Sequence, residues 1–567
     1  MNLDLSRQAQ AALDVEGPVL VLGGPGSGKT TLALLKMQQL KVSLNSGQEV
    51  LFLSFSRAAV QQVIIRCRDI LTFNERKFIS VKTYHSFCME LLKTHGKLLT
   101  GKIPRIIYPM SARLVKSAYA GDWEAEGQRL ACEEGRYCFE QFAPFTVEIL
   151  RRSQRILELI TNRYPSIILD EFQDTDESQW ELVKLLSQRS RIIALADPDQ
   201  RIFDYDSKVD PERLNHLRNF LKPSEFDLGG TNHRSPDTGI LKFANAVLRN
   251  ELLPQTEDVR VFLYNPKKLS EGVHAQVVDL MSELMDAAIP SPTVAVLCRS
   301  NSFVVKVSAW LQADHYLNDS HLIPVDHYVI WDADLTTAAA QVVGSIMEWP
   351  QHNMSEAIAL TLHYLAIYYD LKNAEHPNKT ALAKADSYRR SECAISKSSL
   401  SRKGEVKHLV SQFNGGITFE GKPEIDWLTA RKVLDGCNGL REVLTSAQLV
   451  PLYRAKDELS GILSKEWVKS GSYRHAADLV RRALEARQLI SANIEPSGFV
   501  LMNIHKAKGK EFDGVVLVEG IYDGRFFDQK REDPPFNASR RLLRVGISRA
   551  RHLVHIVCST RDPWIYN

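Results

Sequence analysis

The residues with the plainest chemical meaning are Gly23-Gly24-Pro25-Gly26-Ser27-Gly28-Lys29-Thr30, a GxxxxGK[ST] spacing. Glycine at this density lets backbone N–H groups close around phosphate oxygens, because a Cβ would obstruct the approach. Lys29 would reach the β- and γ-phosphates, and the Thr30 hydroxyl would take a place on Mg²⁺. The spacing predicts a triphosphate site, with Gly24, Gly26, Ser27, Gly28, Lys29, Thr30 and Thr31 as its binding residues.

A second group supplies acids. In Ile167-Ile168-Leu169-Asp170-Glu171-Phe172-Gln173-Asp174 an apolar run ends in adjacent carboxylates. Beside a phosphate loop, Asp170 is assigned to the metal and Glu171 to activation of water; taken alone, such a pair is more often a helix N-cap on a solvated loop. Gln200, in Leu195-Ala196-Asp197-Pro198-Asp199-Gln200, follows another apolar run, where its amide would meet the γ-phosphate or the attacking water. By itself it also reads as a polar turn. Arg234, in Asn232-His233-Arg234-Ser235, and Arg549, in Val545-Gly546-Ile547-Ser548-Arg549-Ala550, are candidates to stabilise charge on a transferred phosphoryl group. Arginines in such places are usually surface ion-pair partners, and spacing alone does not set these two apart.

These groups need strands that end at one edge and helices that begin there. Short β-branched runs alternate with helical patterns in two blocks, which predicts an α/β fold with parallel sheets. The first block has strands at Val19 to Leu22, Val50 to Phe55, Ile167 to Leu169 and Ile192 to Leu195. The second has them at Val294 to Leu297, Val500 to Ile504, Val515 to Val518 and Leu553 to Val557. Two RecA-like P-loop domains follow, each interrupted by a mainly helical insertion. The boundaries are 1–90 and 160–235 for the first domain, with 91–159 inserted, and 236–344 and 493–567 for the second, with 345–492 inserted. Within the latter insertion, Ser391 to Lys403 reads as a polar loop. No tandem repeat of fixed period is visible.

Bulk properties bound the rest. A chain of 567 residues with 44% hydrophobic composition exceeds one core and predicts several domains. The net charge of +3 neither requires nor excludes a nucleic acid, which would have to meet a local basic groove. The eight cysteines contain no CxxC pair, which argues against zinc ribbons and a disulfide framework and for reduced thiols. Without an apolar run of membrane length or a leader-like start, the expected location is the cytoplasm, away from membranes.

Taken in order, the strings resemble the superfamily 1 DNA helicases of the UvrD/Rep/PcrA type. Gln8, in Ser6-Arg7-Gln8-Ala9-Gln10, resembles the family's Q motif; Gly23 to Thr30 its Walker A; Asp170 to Asp174 its DExQD Walker B. Leu53-Ser54-Phe55-Ser56-Arg57-Ala58-Ala59 is similar to TFTNKAA, and Thr83-Tyr84-His85-Ser86-Phe87 to TxHxF. Asp197-Pro198-Asp199-Gln200-Arg201-Ile202-Phe203 resembles GDxxQxIY, and Asn232 to Ser235 resembles NYRS. His505-Lys506-Ala507-Lys508-Gly509-Lys510-Glu511-Phe512 resembles HxAKGxEF, and Arg540 to Ala550 resembles RRLLYVGITRA.

The resemblance implies an ATP- and Mg²⁺-dependent motor moving 3′ to 5′ on single-stranded or 3′-tailed DNA. Gln8 would hold the adenine edge and Glu511 would lie near the ribose, while Arg234 and Arg549 would approach the γ-phosphate from the second domain. Phe55, Tyr205 and Phe87 are the base-stacking candidates, and His85 and His505 the other contacts on the strand path. His233 stands where the family has a tyrosine that stacks on adenine. Arg544 stands for another tyrosine, Asp206 for an arginine, and Ala538 and Ser539 for residues usually acidic. In compactness the chain resembles helicase subunits encoded beside OLD-family nucleases in Gabija-type anti-phage systems, which implies an OLD-family nuclease partner; a general role in DNA repair is the broader expectation. The alternative is a nucleotide-dependent DNA-end sensor that regulates such a nuclease without processive unwinding. A small-molecule kinase would explain Lys29 and Asp170 and leave Gln200, Arg234, His505 and Arg549 without roles.

Overall fold

The computed structural model describes residues 5–107, 109–119, 121–200, 210–229, 233–236, 238–317, 320–330, 333–375, 379–396, 404–448, 450, 458–490, 498–522, 524–527 and 532–561. The chain forms two compact units. One comprises Met1–Arg105, Leu130–Trp331 and Glu495–Asn567; the other comprises Ile106–Arg129 and Asp332–Ile494.

The first unit carries two six-stranded sheets. Numbered through these sheets in chain order, the first holds β1 (Val19–Leu22), β2 (Val50–Ser54), β3 (Ile79–Thr83), β4 (Ser166–Leu169), β5 (Arg191–Ala196) and β6 (Ser224–Asp227). The second holds β7 (Val259–Tyr264), β8 (Thr293–Cys298), β9 (His327–Ile330), β10 (Gly498–Asn503), β11 (Phe512–Val518) and β12 (Ala550–Ser559). Their orders are β3-β2-β4-β5-β1-β6 and β9-β10-β8-β11-β12-β7. Every neighbouring pair is parallel. These are two RecA-like domains.

Parallel strands need helical crossovers, which cover both faces, so inner strands carry continuous apolar runs instead of alternating. In β8, Ala295 and Leu297 pack into the core on one face with Val515, Leu517, Val554 and Ile556. Val294, Val296 and Cys298 pack on the other with Val516, Val518 and Val557. The eight strands read from the sequence are the eight inner ones. The four that the reading passed over, β3, β6, β7 and β9, are the four sheet edges. Their polar or half-exposed positions, as in Ser224-Glu225-Phe226-Asp227, lack the continuous apolar signature.

Between β3 and β4, and between β9 and β10, the chain is mainly helical. The second unit is built from such helices around buried Trp349, Trp427 and Tyr473. Helices Ala333–Met347 and Ala476–Ile490 approach closely at Gly344, where a Cβ would lie 2.7 Å from the Ala477 Cα. The expected loop at 391–403 is corrected over its first part. Helix Lys379–Ser396 continues through Ser391, Glu392, Cys393, Ala394, Ile395 and Ser396, with Ile395 in the core; 397–403 lie outside the described residues. Ile395 supplies an apolar anchor that the polar composition around it concealed.

Candidate nucleotide site

Strand register delivers the glycine loop to its place. Leu22, the last residue of β1, pairs with Ala196 of β5, and the Gly23 N–H donates to the Ala196 carbonyl at 3.2 Å. The loop therefore leaves the sheet beside Asp197. Gly26 and Gly28 adopt φ of +74° and +87°, the left-handed region that a side chain would strain. Gly28 is also the N-cap of helix Lys29–Leu40, and no side chain caps that end. The first helical N–H groups are thus available to an anion. The buried Ser27 hydroxyl finds no partner among the described residues, as expected of a group completed by a ligand. The Lys29 ammonium donates to the carbonyls of Gly23 and, at 3.1 Å, of Gly24. Burial lowers its pKa, opposed by Asp197, Glu171 and Asp170.

Asp170 and Glu171 follow β4. The Asp170 N–H donates to Leu53 at 2.8 Å, and its carboxylate accepts from the Ser54 hydroxyl at 3.2 Å. Glu171 turns the chain with φ of +51°, a left-handed conformation that costs a non-glycine residue about 1 kcal/mol or more. Burial, then the charge of Glu171, raises the Asp170 pKa to about 7. Glu171 is held below the ordinary range in spite of its burial, by Lys508 and then Lys29. Adjacent acids of this kind, Asp170 buried and Glu171 half-buried, sharing a cavity wall with Thr30, fit a divalent cation, whose charge would relieve the repulsion.

Gln173 and Asp197 connect these acids to Gln200. The Gln173 amide donates to Glu171 at 2.5 Å and accepts from the Asp197 N–H at 3.1 Å, while the Gln200 amide donates to Asp197 Oδ2 at 2.8 Å. From the side of the second sheet, Arg549 follows helix Asn537–Ile547 and donates to Gln200 Oε1 at 3.1 Å. Burial, then Arg234, lowers its pKa to about 9. Arg234 donates to the Ser548 carbonyl and to Glu511 Oε1, each at 2.9 Å. Glu511 accepts further from Arg66 at 2.8 Å and Arg551 at 3.3 Å. Against the cost of burial, these guanidinium groups hold its pKa at about 2. Lys508 donates to Asp174 and, at 2.8 Å, to the Gln200 carbonyl.

All of this surrounds one cavity of about 340 Å³. Its wall includes Gly24, Gly26, Ser27, Gly28, Lys29, Thr30, Thr31, Asp170, Glu171, Gln200, Arg234, Glu511 and Arg549. His233 lines it too, hydrogen-bonded through its N–H to Gly26 at 2.8 Å. Gln8 is not in that wall; it lies exposed on helix Arg7–Asp14.

The strand-path candidates are scattered more widely. Phe55 is half-buried just beyond β2. His85 is half-buried, with its ring 5.8 Å from Phe139 and 6.4 Å from Phe142. His505 opens the short helix Ile504–Ala507, where burial, then Arg299 and Lys508, lowers its imidazole to about 4. Phe87 is corrected: it is buried, edge-on to Tyr164 at 6.2 Å, and is core. It points inward because Tyr84, Phe87, Cys88, Leu91 and Leu92 form the buried face of helix Tyr84–His95. Tyr205 lies outside the described residues.

Sequence reasoning passed over Arg66, Gln62 and Arg551 on the cavity wall, and Lys508, Gln173 and Asp197 behind it. Lys508, Gln173 and Asp197 stand inside the quoted motif strings. Arg66 is one of several charges on helix Arg57–Ile70, and nothing in its spacing marks it.

A phosphate loop, paired acids at a strand end and two arginines, Arg549 just before a strand of the second sheet and Arg234 in the segment that leads out of the first, all on one cavity, define a P-loop nucleotide-binding protein with tandem RecA-like domains. Residues 5–124 and 126–218 match the UvrD/REP helicase N-terminal domain, and residues 498–557 match the UvrD-like helicase C-terminal domain. The chain thus carries the N- and C-terminal helicase domains of the UvrD-type superfamily 1 pattern. It is 24% identical over 313 residues to a probable DNA helicase II homolog of Mycoplasma capricolum, covering 45% of this chain and 42% of that protein. It is also 24% identical over 306 residues to the ATP-dependent DNA helicase PcrA of Leuconostoc citreum, covering 44% and 40%. The chain thus spans about two fifths of the length of the curated relatives it matches. Similarity to the solved Pif1 helicase of Candida albicans is slight, at 12% identity, 49% and 55% coverage and a TM-score of 0.27.

Proposed function

We propose that the chain is an ATP-dependent DNA translocase and helicase, moving 3′ to 5′ on single-stranded or 3′-tailed DNA. The observation that supports this most is that Lys29, Glu171, Gln200, Arg234 and Arg549 line a single cavity although they come from five separate segments. Lys29 would exchange the Gly23 and Gly24 carbonyls for phosphate oxygens, and the N–H groups of the loop would hold the rest of the chain of phosphates. Thr30 and Asp170 would hold Mg²⁺, which when bound neutralises phosphate charge. Glu171, kept ionised by Lys508 and Lys29, would orient the attacking water and take its proton. Gln200 would position that water or the γ-phosphate. Arg234 and Arg549 would stabilise the charge that spreads over the transferred group. Glu511 would accept from a ribose hydroxyl.

Arg549 to Gln200, Lys508 to Gln200 and Arg66 to Glu511 each join elements of one sheet to elements of the other. Remaking these contacts as phosphate enters and leaves would change the separation of the two domains, and so step a DNA strand lying across both. Phe55 and Tyr205 would stack bases, with His85 and His505 as further strand contacts. The cellular setting proposed is cytoplasmic, in DNA repair or anti-phage defence, with an OLD-family nuclease as the partner in the second case. Among the described residues no helix is long and apolar enough to cross a membrane.

The test is ATP hydrolysis with and without single-stranded DNA. Stimulation by DNA that disappears in Lys29→Ala and Glu171→Gln is expected, and equal rates with and without DNA overturn the reading. Strand displacement on 3′- and 5′-tailed duplexes reads out direction. DNA-stimulated hydrolysis with no displacement would favour the DNA-end sensor.

A further inference from the structure

Arg544 stands in helix Asn537–Ile547 of the second sheet's domain, with a guanidinium only 3% exposed. Its Nε donates to Asn245 Oδ1 at 3.0 Å, on helix Ile240–Arg249 of the same domain. One terminal nitrogen pairs with Asp197 Oδ2 at 3.5 Å, beyond the end of β5 in the other domain. The other lies 3.9 Å from Asp199 and against the phosphate loop, where a Cβ on Gly24 would be 3.6 Å away. The fork is thus held from behind by its own domain and presented to the other. A compact ammonium cannot fill all these positions.

Asp197 Oδ2, the atom that Arg544 pairs with, is also the acceptor for the Gln200 amide at 2.8 Å. An amide has one donor end and one acceptor end, so anchoring its NH₂ at Asp197 decides that Oε1 faces Arg549. Asp197 further holds Gln173 through its backbone N–H, and Gln173 holds Glu171. Of the carboxylates acting on Lys29, Asp197 acts most strongly.

We propose that Arg544 is a positioning residue for hydrolysis: by pairing with Asp197 it sets the orientation of Gln200 toward Arg549. This rests on the site being an ATPase. The motif that this stretch resembles has a tyrosine at this position.

The experiment measures kcat and KM for ATP in Arg544→Met, Arg544→Lys and the double variant Asp197→Asn/Arg544→Met. Displacing a catalytic group by a fraction of its proper geometry costs roughly 10- to 100-fold in rate. Arg544→Met is expected to lower kcat by that factor with KM changed by less than about threefold, since the loop's own contacts remain. Arg544→Lys should recover part of the loss. The double variant should be no slower than Arg544→Met, because both act through one contact. If Arg544→Met does not fold, the comparison of Arg544→Lys with the wild type carries the same split. A kcat within twofold of wild type in Arg544→Met, or a double variant that multiplies two independent losses, overturns the proposal. A wild-type chain without ATPase activity would instead remove the reading on which it rests.

Discussion

Arg549 and Gln200 meet at 3.1 Å, the arginine following the helix before β12 of one sheet and the glutamine the turn after β5 of the other. Both are buried, so each is the other's polar partner in a dry place. A contact of this kind couples its members. In ATP hydrolysis, Arg549→Ala is expected to lose about 10³-fold and Gln200→Ala about 10²-fold, with the double variant well short of their product. Full multiplication in steady-state kinetics would show that the contact does not link them.

Glu511 provides a pH prediction. Its pKa falls from the ordinary 4.5 to about 2. A carboxylate depressed on folding stabilises the native state above its unfolded pKa, and that stability is lost as pH falls through the folded value. The contribution is on the order of 3 kcal/mol at neutral pH. The stability gap between wild type and Glu511→Gln should be constant above about pH 4.5 and close between there and about pH 2. Denaturant unfolding across that range measures it, and a gap that persists at pH 2 contradicts the assignment.

Gly28 and Gly47 separate backbone strain from site geometry. Their φ values are +87° and +83°, so alanine costs each about 1–2 kcal/mol. A Cβ at Gly28 would also sit 3.4 Å from the His233 ring, on the cavity wall, while Gly47 has nothing within 4 Å. Thermal unfolding should therefore move similarly in both alanine variants. Nucleotide affinity, followed by titration calorimetry, should fall about tenfold or more in Gly28→Ala alone.

Phe55 and Phe87 contrast a proposed strand contact with a core residue. Phe87→Ala should cost about 3–5 kcal/mol of stability, since a buried aromatic leaves a cavity. Phe55→Ala should lower affinity for single-stranded DNA by about 1–3 kcal/mol, with a smaller effect on unfolding. Fluorescence anisotropy with a labelled oligonucleotide tests the second, and unchanged DNA affinity rejects Phe55 as a stacking residue.

The inner strands were legible because a strand covered by helices on both faces carries a continuous apolar run, and Val19-Leu20-Val21-Leu22 or Val515-Val516-Leu517-Val518 look like nothing else. The edges β3, β6, β7 and β9 were not, because half-covered strands admit residues such as Lys82, Glu225, Arg260 and His327. The phosphate loop and the acids after β4 were legible for a related reason. Their chemistry needs consecutive residues at a strand end, and consecutive residues are what a sequence displays.

Phe87 shows where that legibility stops. Its place in a motif string marked it for the DNA path, and the helical periodicity of its neighbours put it in the core. Arg66 and Arg551 carry no local signal, because their roles depend on the Glu511 carboxylate that each meets in space. The sequence by itself determined the phosphate loop, the acid pair, the inner strands and the family resemblance. Only tertiary structure decided that Glu511 is gripped by three arginines and that Gln200 faces Arg549. All but the Arg551 contact join residues hundreds of positions apart, and their energies come from burial and mutual distance, which no run of adjacent residues records.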